Sequence, residues 1–267
     1  MKAAKLCSIF AVIAAMEFEW NLLLLVGAGF IAGVVNTIAG GGSILTLPAL
    51  IFFGLPPSVA NGTNRIAIII QNIFSTAGFQ SKGISTYPFS LYLGAVAVVG
   101  AVVGAKIAIQ LPEDLFNKIL AFVMVIVVVF LVSQRKKSLS ELAERLTGKY
   151  LWFSMFAFFF IGIYGGFIQA GTGFFVLLAL SGINRLSLVK SNAAKAVIIL
   201  IFNIGAIITF AWEGKINWGY GLIMAIGNAS GAWFASRWSV AKGDKLVKIF
   251  LVIMVIVMAV KLWFTTP

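Results

Sequence analysis

The chain carries one glycine-broken apolar segment twice. Gly29-Phe30-Ile31-Ala32-Gly33, followed by Gly40-Gly41-Gly42-Ser43, returns as Gly162-Ile163-Tyr164-Gly165-Gly166, followed by Gly171-Thr172-Gly173-Phe174. Each copy leads into a polar cluster with a single cation. These clusters are Asn61-Gly62-Thr63-Asn64-Arg65 and Ser191-Asn192-Ala193-Ala194-Lys195. Apolar segments interrupted by glycine at matching places in two halves are a pattern of transporters, whose binding site lies at the breaks. A second signal agrees with duplication. Gly100, Gly104 and Ala108 are answered by Gly227, Gly231 and Ala235, and small residues four apart let helices approach closely in lipid.

Hydrophobic residues make up 61% of the chain, charged residues only 10%, and mean hydropathy is +1.06. Soluble domains carry about 25% charged residues, so the expected class is an integral membrane protein. The apolar runs approach the ~20 residues of a bilayer-crossing helix and do not alternate as barrel strands do. The expected fold is therefore an all-α polytopic bundle of two homologous halves. Its spans run over about 20–39, 61–79, 87–109, 115–132, 150–169, 189–210, 218–238 and 245–264. Two shorter pieces, 43–54 and 174–182, cover only ~14–18 Å of a ~30 Å core and read as half-helices or kinked spans.

The polar stretch 133–149 holds Arg135, Lys136, Lys137, Arg145 and Lys149 and is placed in the cytoplasm by the positive-inside rule. It divides the chain into an N-terminal segment (1–19), a first transmembrane repeat (20–133), a cytoplasmic loop (134–149) and a second repeat (150–267). If the short pieces count as crossings, each half has five and the second is inverted. Lys82, Arg185 and a loop over Arg237–Lys248 then share the cytoplasmic face. The alternative is two parallel four-helix halves with re-entrant loops. Lys2 and Lys5 before a short apolar stretch resemble a signal peptide, but Ile13 spoils the cleavage site, so an uncleaved N-terminal helix is expected.

The net charge of +12 resides mostly at segment ends, facing lipid headgroups, without the pattern of a nucleic-acid surface. Cys7 is the only cysteine, histidine is absent and there are eight acidic residues. That leaves little material for a disulfide, a metal centre or a catalytic triad. A non-enzymatic protein without cofactor or metal is expected, whose partners are the bilayer and a small anionic substrate.

At Gly40-Gly41-Gly42-Ser43 the glycines let backbone approach a ligand, and a helix starting at Ser43 offers its N–H groups to an anion. Thr172 and Gly173 repeat the arrangement. A tight helical hairpin without ligand is the competing reading. Arg65 and Lys195 lie inside apolar runs, where a cation costs ~2.5–3.5 kcal/mol on insertion scales. They either face a cavity or snorkel to the interface. No carboxylate in the spans answers them, which suggests that the substrate supplies the counter-charge. Asn61, Asn64, Gln169 and Asn192, with Asn36 and Ser191 nearby, could donate to an oxyanion. Asn61 and Ser191 could instead cap helix starts. Lys106, opposite Trp233 in the repeat, reads as an interfacial snorkeller.

The first glycine-rich segment, with Pro48, Asn61 and Arg65 downstream, resembles the TauE/SafE sulfite-exporter family of toluene-sulfonate-uptake-permease-like membrane transporters. The copy around Gly166–Gly173 and Asn192–Lys195 resembles it in degenerate form. The resemblance covers about 22–262. It implies alternating-access transport of sulfite, a sulfonate, a sulfoacetate-like ion or another small organic anion across the cytoplasmic membrane, in the export direction. Thr172 interrupts the second glycine run and lysine stands in place of arginine at 195, so the expected site is asymmetric. A non-transporting membrane subunit or sensor is the rival reading.

Overall fold

A computed structural model describes residues 20–116, 118–120, 122–123 and 143–265, with side chains described between 22 and 241. The N-terminal segment 1–19, most of the expected span 115–132, loop residues 134–142 and the side chains of Lys242, Lys245 and Lys248 lie outside the described residues. Eight helices are delimited among them: α1 (Trp20–Ala39), α2 (Ser43–Phe52), α3 (Pro57–Gln80), α4 (Phe89–Gln110), α5 (Lys149–Phe167), α6 (Thr172–Gly182), α7 (Leu188–Trp212) and α8 (Trp218–Thr265). No strand occurs among the described residues.

Among the described residues, four helices are long and apolar enough to cross a membrane: Leu22–Ala39, Phe89–Gln110, Lys149–Phe167 and Leu188–Trp212. Their outward faces are apolar, with Leu24 66%, Trp152 72% and Ile208 59% exposed. Such surfaces would be costly in water and are at home in lipid. The polar helix α3 owes its place to the bundle interior, where Asn61, Asn64, Arg65, Gln71, Asn72 and Ser75 are all buried. It starts at Pro57, four residues before the expected Asn61, because proline's fixed φ and missing N–H suit a first helical position.

The two halves exchange partners. Gly29 and Gly33 of α1 press on Met224 and Asn228 of α8, as Gly162 and Gly166 of α5 press on Ala97 and Ala101 of α4. In return, Gly227 and Gly231 receive Val26 and Phe30, and Gly100 and Gly104 receive Phe159 and Ile163. A methyl at any of these eight glycines would run into opposing backbone, so the small-residue pattern is used for helix contact. Both pairs run parallel, residue numbers rising together.

Helix α3 also lies parallel to α8, with Gly221 against Ile66 and Gly78 against Ser236. Helix α7 lies parallel to α4, with Gly94 against Ile201 and Gly205 against Val98. In contrast, α3 and α7 run antiparallel. The start of α3 meets the end of α7, where Asn217 N donates to Thr63 Oγ1 at 2.9 Å. The end of α3 packs Phe79 with Val189 and Ala193 at the start of α7.

One expectation is corrected. The stretch Arg237–Lys248 is no loop between two spans, because α8 continues unbroken through it. The stretch contains Gly243 but no proline, so nothing forces the backbone out of helical geometry. At ~1.5 Å per residue such a helix is ~72 Å long, more than twice a ~30 Å hydrocarbon core.

Candidate substrate site

The two glycine breaks touch. Gly40 (φ +76°) and Gly171 (φ +72°) occupy the left-handed region that glycine enters freely. Gly40 lies backbone-to-backbone on Gly173, and a Cβ on Gly173 would come within 2.7 Å of the Gly40 Cα. Gly42 is pressed on Ala32 and Asn36, whereas a Cβ at Gly41 would meet only Ile44 Cδ1, at 3.8 Å. Ser43 Oγ spans the contact, donating to Gln169 O at 3.1 Å and accepting from Gly171 N at 3.2 Å. Thr172 Oγ1 donates to the same Gln169 carbonyl at 2.9 Å. Most of the expected glycines therefore serve helix-on-helix contact, and Ser43 serves the joint between the breaks.

Each polar cluster then reaches into the opposite half. A broken helix leaves its last carbonyls without intrahelical partners, and its C-terminal end attracts cations. At the end of α5, Asn61 Nδ2 donates to Phe167 O at 2.7 Å, while Arg65 donates to Gly165 O at 3.2 Å and to Gly166 O. At the end of α1, Asn192 Nδ2 donates to Ile38 O at 3.1 Å, and Lys195 Nζ donates to Asn36 O at 2.7 Å and Thr37 O at 2.9 Å. In each half, then, an asparagine and a cation close the broken helix of the other half.

Arg65 and Lys195 are 0% and 2% exposed, which excludes snorkelling in this conformation. Arg65 also donates to Gln169 Oε1 at 2.9 Å, Asn203 Oδ1 at 3.1 Å and Asn61 Oδ1 at 3.3 Å. Its guanidinium lies 4.7 Å from the Phe210 ring centre, and its Nε has no partner among the described residues. Lys195 uses its third donor on Asn192 Oδ1, at 2.7 Å. Every one of these acceptors is neutral. The described carboxylates are exposed, and the ion pair found among the described residues joins Glu144 to Lys190 at 2.6 Å, away from both cations.

The repeat register explains the asymmetry. Asn72 and Asn203 make the same bond, to Ile68 O and Ile199 O one turn back, and Asn61 corresponds to Asn192. This register pairs Lys195 with Asn64 and Arg65 with Ala196, so the two cations are one residue out of step. Asn64 is 0% exposed, and neither of its polar atoms has a partner among the described residues.

The capping expectation is corrected as well. Asn61 lies inside α3, and the start of α7 is capped by Ser187, whose side chain accepts from Lys190 N. Ser191 Oγ instead donates to Leu186 O. Lys106 is exposed. Beyond the expected set, the structure adds Asn203, the Phe210 ring and the carbonyls of 36–38 and 165–167. Asn203 had a signal in its match to Asn72. The carbonyls had none, because backbone acceptors are common to every sequence.

A helical bundle with a lipid-facing exterior, two interlocked halves and buried polar clusters at paired helix breaks defines the membrane-transporter class. Residues 25–262 match the sulfite exporter TauE/SafE family, and the chain belongs to that family. It is 30% identical over 241 residues to the probable membrane transporter protein ORF9 of a Sinorhizobium species, covering 90% of this chain and 92% of that protein. It is also 30% identical to the probable membrane transporter protein YfcA of Escherichia coli K12, over 87% of this chain and 86% of the relative. A probable membrane transporter protein of Haemophilus influenzae is 28% identical, over 90% and 94% of the two chains. No solved structure matches the chain. The protein is an integral membrane transporter of this family.

Proposed function

We propose that the protein moves a small sulfur-containing oxyanion, such as sulfite or a sulfonate, out across the cytoplasmic membrane by alternating access. The observation that carries this reading is the pair of buried cations. The hydrogen-bond acceptors of Arg65 and Lys195 are all neutral oxygens, with no described carboxylate beside them. A buried charge is stable when paired, and an anionic substrate would supply the missing partner. The family description names sulfite export, and relatives carry the name of probable membrane transporters.

The capping geometry suggests how binding is coupled to movement. An anion taking two oxygens to the Arg65 fork competes with Gly165 and Gly166 and releases the end of α5. Lys195 stands in the same relation to α1. Substrate would thus loosen the ties that hold each half to the other. The halves are proposed to be inverted repeats. In support, α1, α3 and α8 run one way and α4, α5 and α7 the other, so repeat mates oppose each other. Gly40, Gly41, Gly42, Ser43, Asn61, Asn64, Gln169, Thr172, Gly173 and Asn192 complete the proposed site around the two cations. An inside-negative potential favours anion efflux by ~2.3 kcal/mol per charge per 100 mV.

Purified protein in proteoliposomes loaded with sulfite or methanesulfonate tests the function. Protein-dependent, voltage-sensitive efflux is expected. Absence of flux for both ions, with flux of a carboxylate such as acetate, would favour a permease for another small organic anion.

A further inference from the structure

Three buried amides are left over by the reciprocal caps, and two of them, Gln71 and Asn228, fall in the interface of α1, α3 and α8. Asn64, Gln71 and Asn228 are 0%, 1% and 0% exposed. Both polar atoms of Asn64 and of Asn228, together with Gln71 Oε1, have no hydrogen-bond partner among the described residues. Asn64, Gln71 and Gly78 are spaced by seven, which keeps them on one stripe of α3 to within ~20° per step. Gly78 on that stripe touches Ser236 of α8, and further back Gly221 of α8 sits against Thr63 and Ile66. Gln71 and Asn228 fall midway between those two contacts. Asn228 also borders α1, since a Cβ on Gly29 would lie 3.4 Å from its Oδ1.

The second copy shows that packing does not require these amides. The mate of Gln71 is Phe202, buried and set against Gly165, where a Cβ would lie 2.9 Å from the ring. The mate of Asn228 is Ala101, for Gly33 and Gly166 press on these two in the same way. The mate of Asn64 is Lys195, whose three donors are all used. One repeat thus closes the interface with phenylalanine and alanine, and the other fills it with unpartnered amides. A buried polar group without a partner is costly, so these amides are suited to a ligand that comes and goes. A metal cation is disfavoured there, because Arg65 adjoins Asn64, Lys195 lies in the same core and no described carboxylate offsets them.

We propose that Gln71 and Asn228 form a second, uncharged oxyanion subsite between α3 and α8, about two turns along α3 from Arg65. The Asn228 amide N–H, which has no partner among the described residues, would hold the anion without a full charge, with the Gln71 side-chain amide at the same level of α3. Passage requires sites that bind well enough to admit an ion and weakly enough to let it go, and a neutral station next to a charged one meets that need. The inference rests on the oxyanion function proposed above.

The test compares wild type with Asn228→Ala, Gln71→Leu and Asn228→Asp. Sulfite and methanesulfonate flux is measured in proteoliposomes, and melting temperature in detergent. The two apolar variants should lose about tenfold in flux each, with melting temperature unchanged or raised. Asn228→Asp should abolish flux by repelling the anion. Unchanged flux in the apolar variants would overturn the subsite, as would normal flux in Asn228→Asp, the mark of a water or cation site. A lower melting temperature in both apolar variants would also overturn it, since the amides would then hold the fold. If wild type moves neither ion, the oxyanion function falls and the subsite with it. If wild type moves them and the variants match it, only the subsite falls.

Discussion

Gly173 of the second half rests on Gly40 of the first so closely that a Cβ on Gly173 would stand 2.7 Å from the Gly40 Cα. The crossing of the two helix breaks therefore has no room for a side chain. Gly40→Ala and Gly173→Ala should each abolish a monodisperse, folded protein. At Gly40 the left-handed backbone alone costs an alanine ~1–2 kcal/mol, before any overlap. Gly41→Ala, whose new methyl meets only Ile44 at 3.8 Å, should melt within a few degrees of wild type. Thermal unfolding in detergent measures the contrast. Equal tolerance of all three would contradict the crossing.

The reciprocal caps make a second prediction. Asn61→Ala removes the donor to Phe167 O, and Asn192→Ala removes the donor to Ile38 O. Each leaves a buried carbonyl at the end of a broken helix, a loss of ~1–3 kcal/mol. Melting temperature should fall in both. If either variant keeps wild-type stability, its asparagine is not a cap.

A third contrast lies near the end of the inter-half linker. Asn184 is 0% exposed, accepts from Ser154 Oγ at 3.0 Å and exchanges bonds with the Arg145 backbone at 2.8 and 2.9 Å. The nearby Lys190–Glu144 pair is solvent-exposed. Exposed pairs contribute ~0–1 kcal/mol. Lys190→Ala should therefore change the unfolding temperature little, and Asn184→Ala should lower it clearly. The reverse order would show that the ion pair is the main tie.

Much of this arrangement is legible in the sequence because it depends on spacing. Long apolar runs indicate spans, and repeated glycines show where helices break and where they touch. The pairing of Gly100 and Gly104 with Gly227 and Gly231 follows from the same signal. What Arg65 and Lys195 face is not legible, since their partners are backbone carbonyls of the other half. Their one-residue offset is hidden too, because Asn64 beside Arg65 makes the clusters look aligned by charge. The unbroken course of α8 through Lys242–Lys248 was obscured by the cations, which resemble a loop yet do not disfavour helix.

Topology can be probed from outside the cell. Lys82 follows α3 and Lys215 follows α7, and those helices run antiparallel. After Cys7→Ser, a cysteine at 215 should react with an impermeant maleimide in intact cells, and one at 82 should not. Labelling of both from outside would contradict the proposed inversion.

Sulfite binding to purified wild type and Arg65→Gln, with melting temperature followed in parallel, tests the central claim most directly. Charge-assisted hydrogen bonds are worth ~1.5–3 kcal/mol, so loss of the fork should weaken affinity by roughly 10- to 150-fold. Arg65→Lys retains charge with three donors in place of five and should recover part of the loss. That outcome would make Arg65 an anion ligand as well as a helix cap. Wild-type affinity in a folded Arg65→Gln protein would contradict the account and leave Arg65 a cap alone.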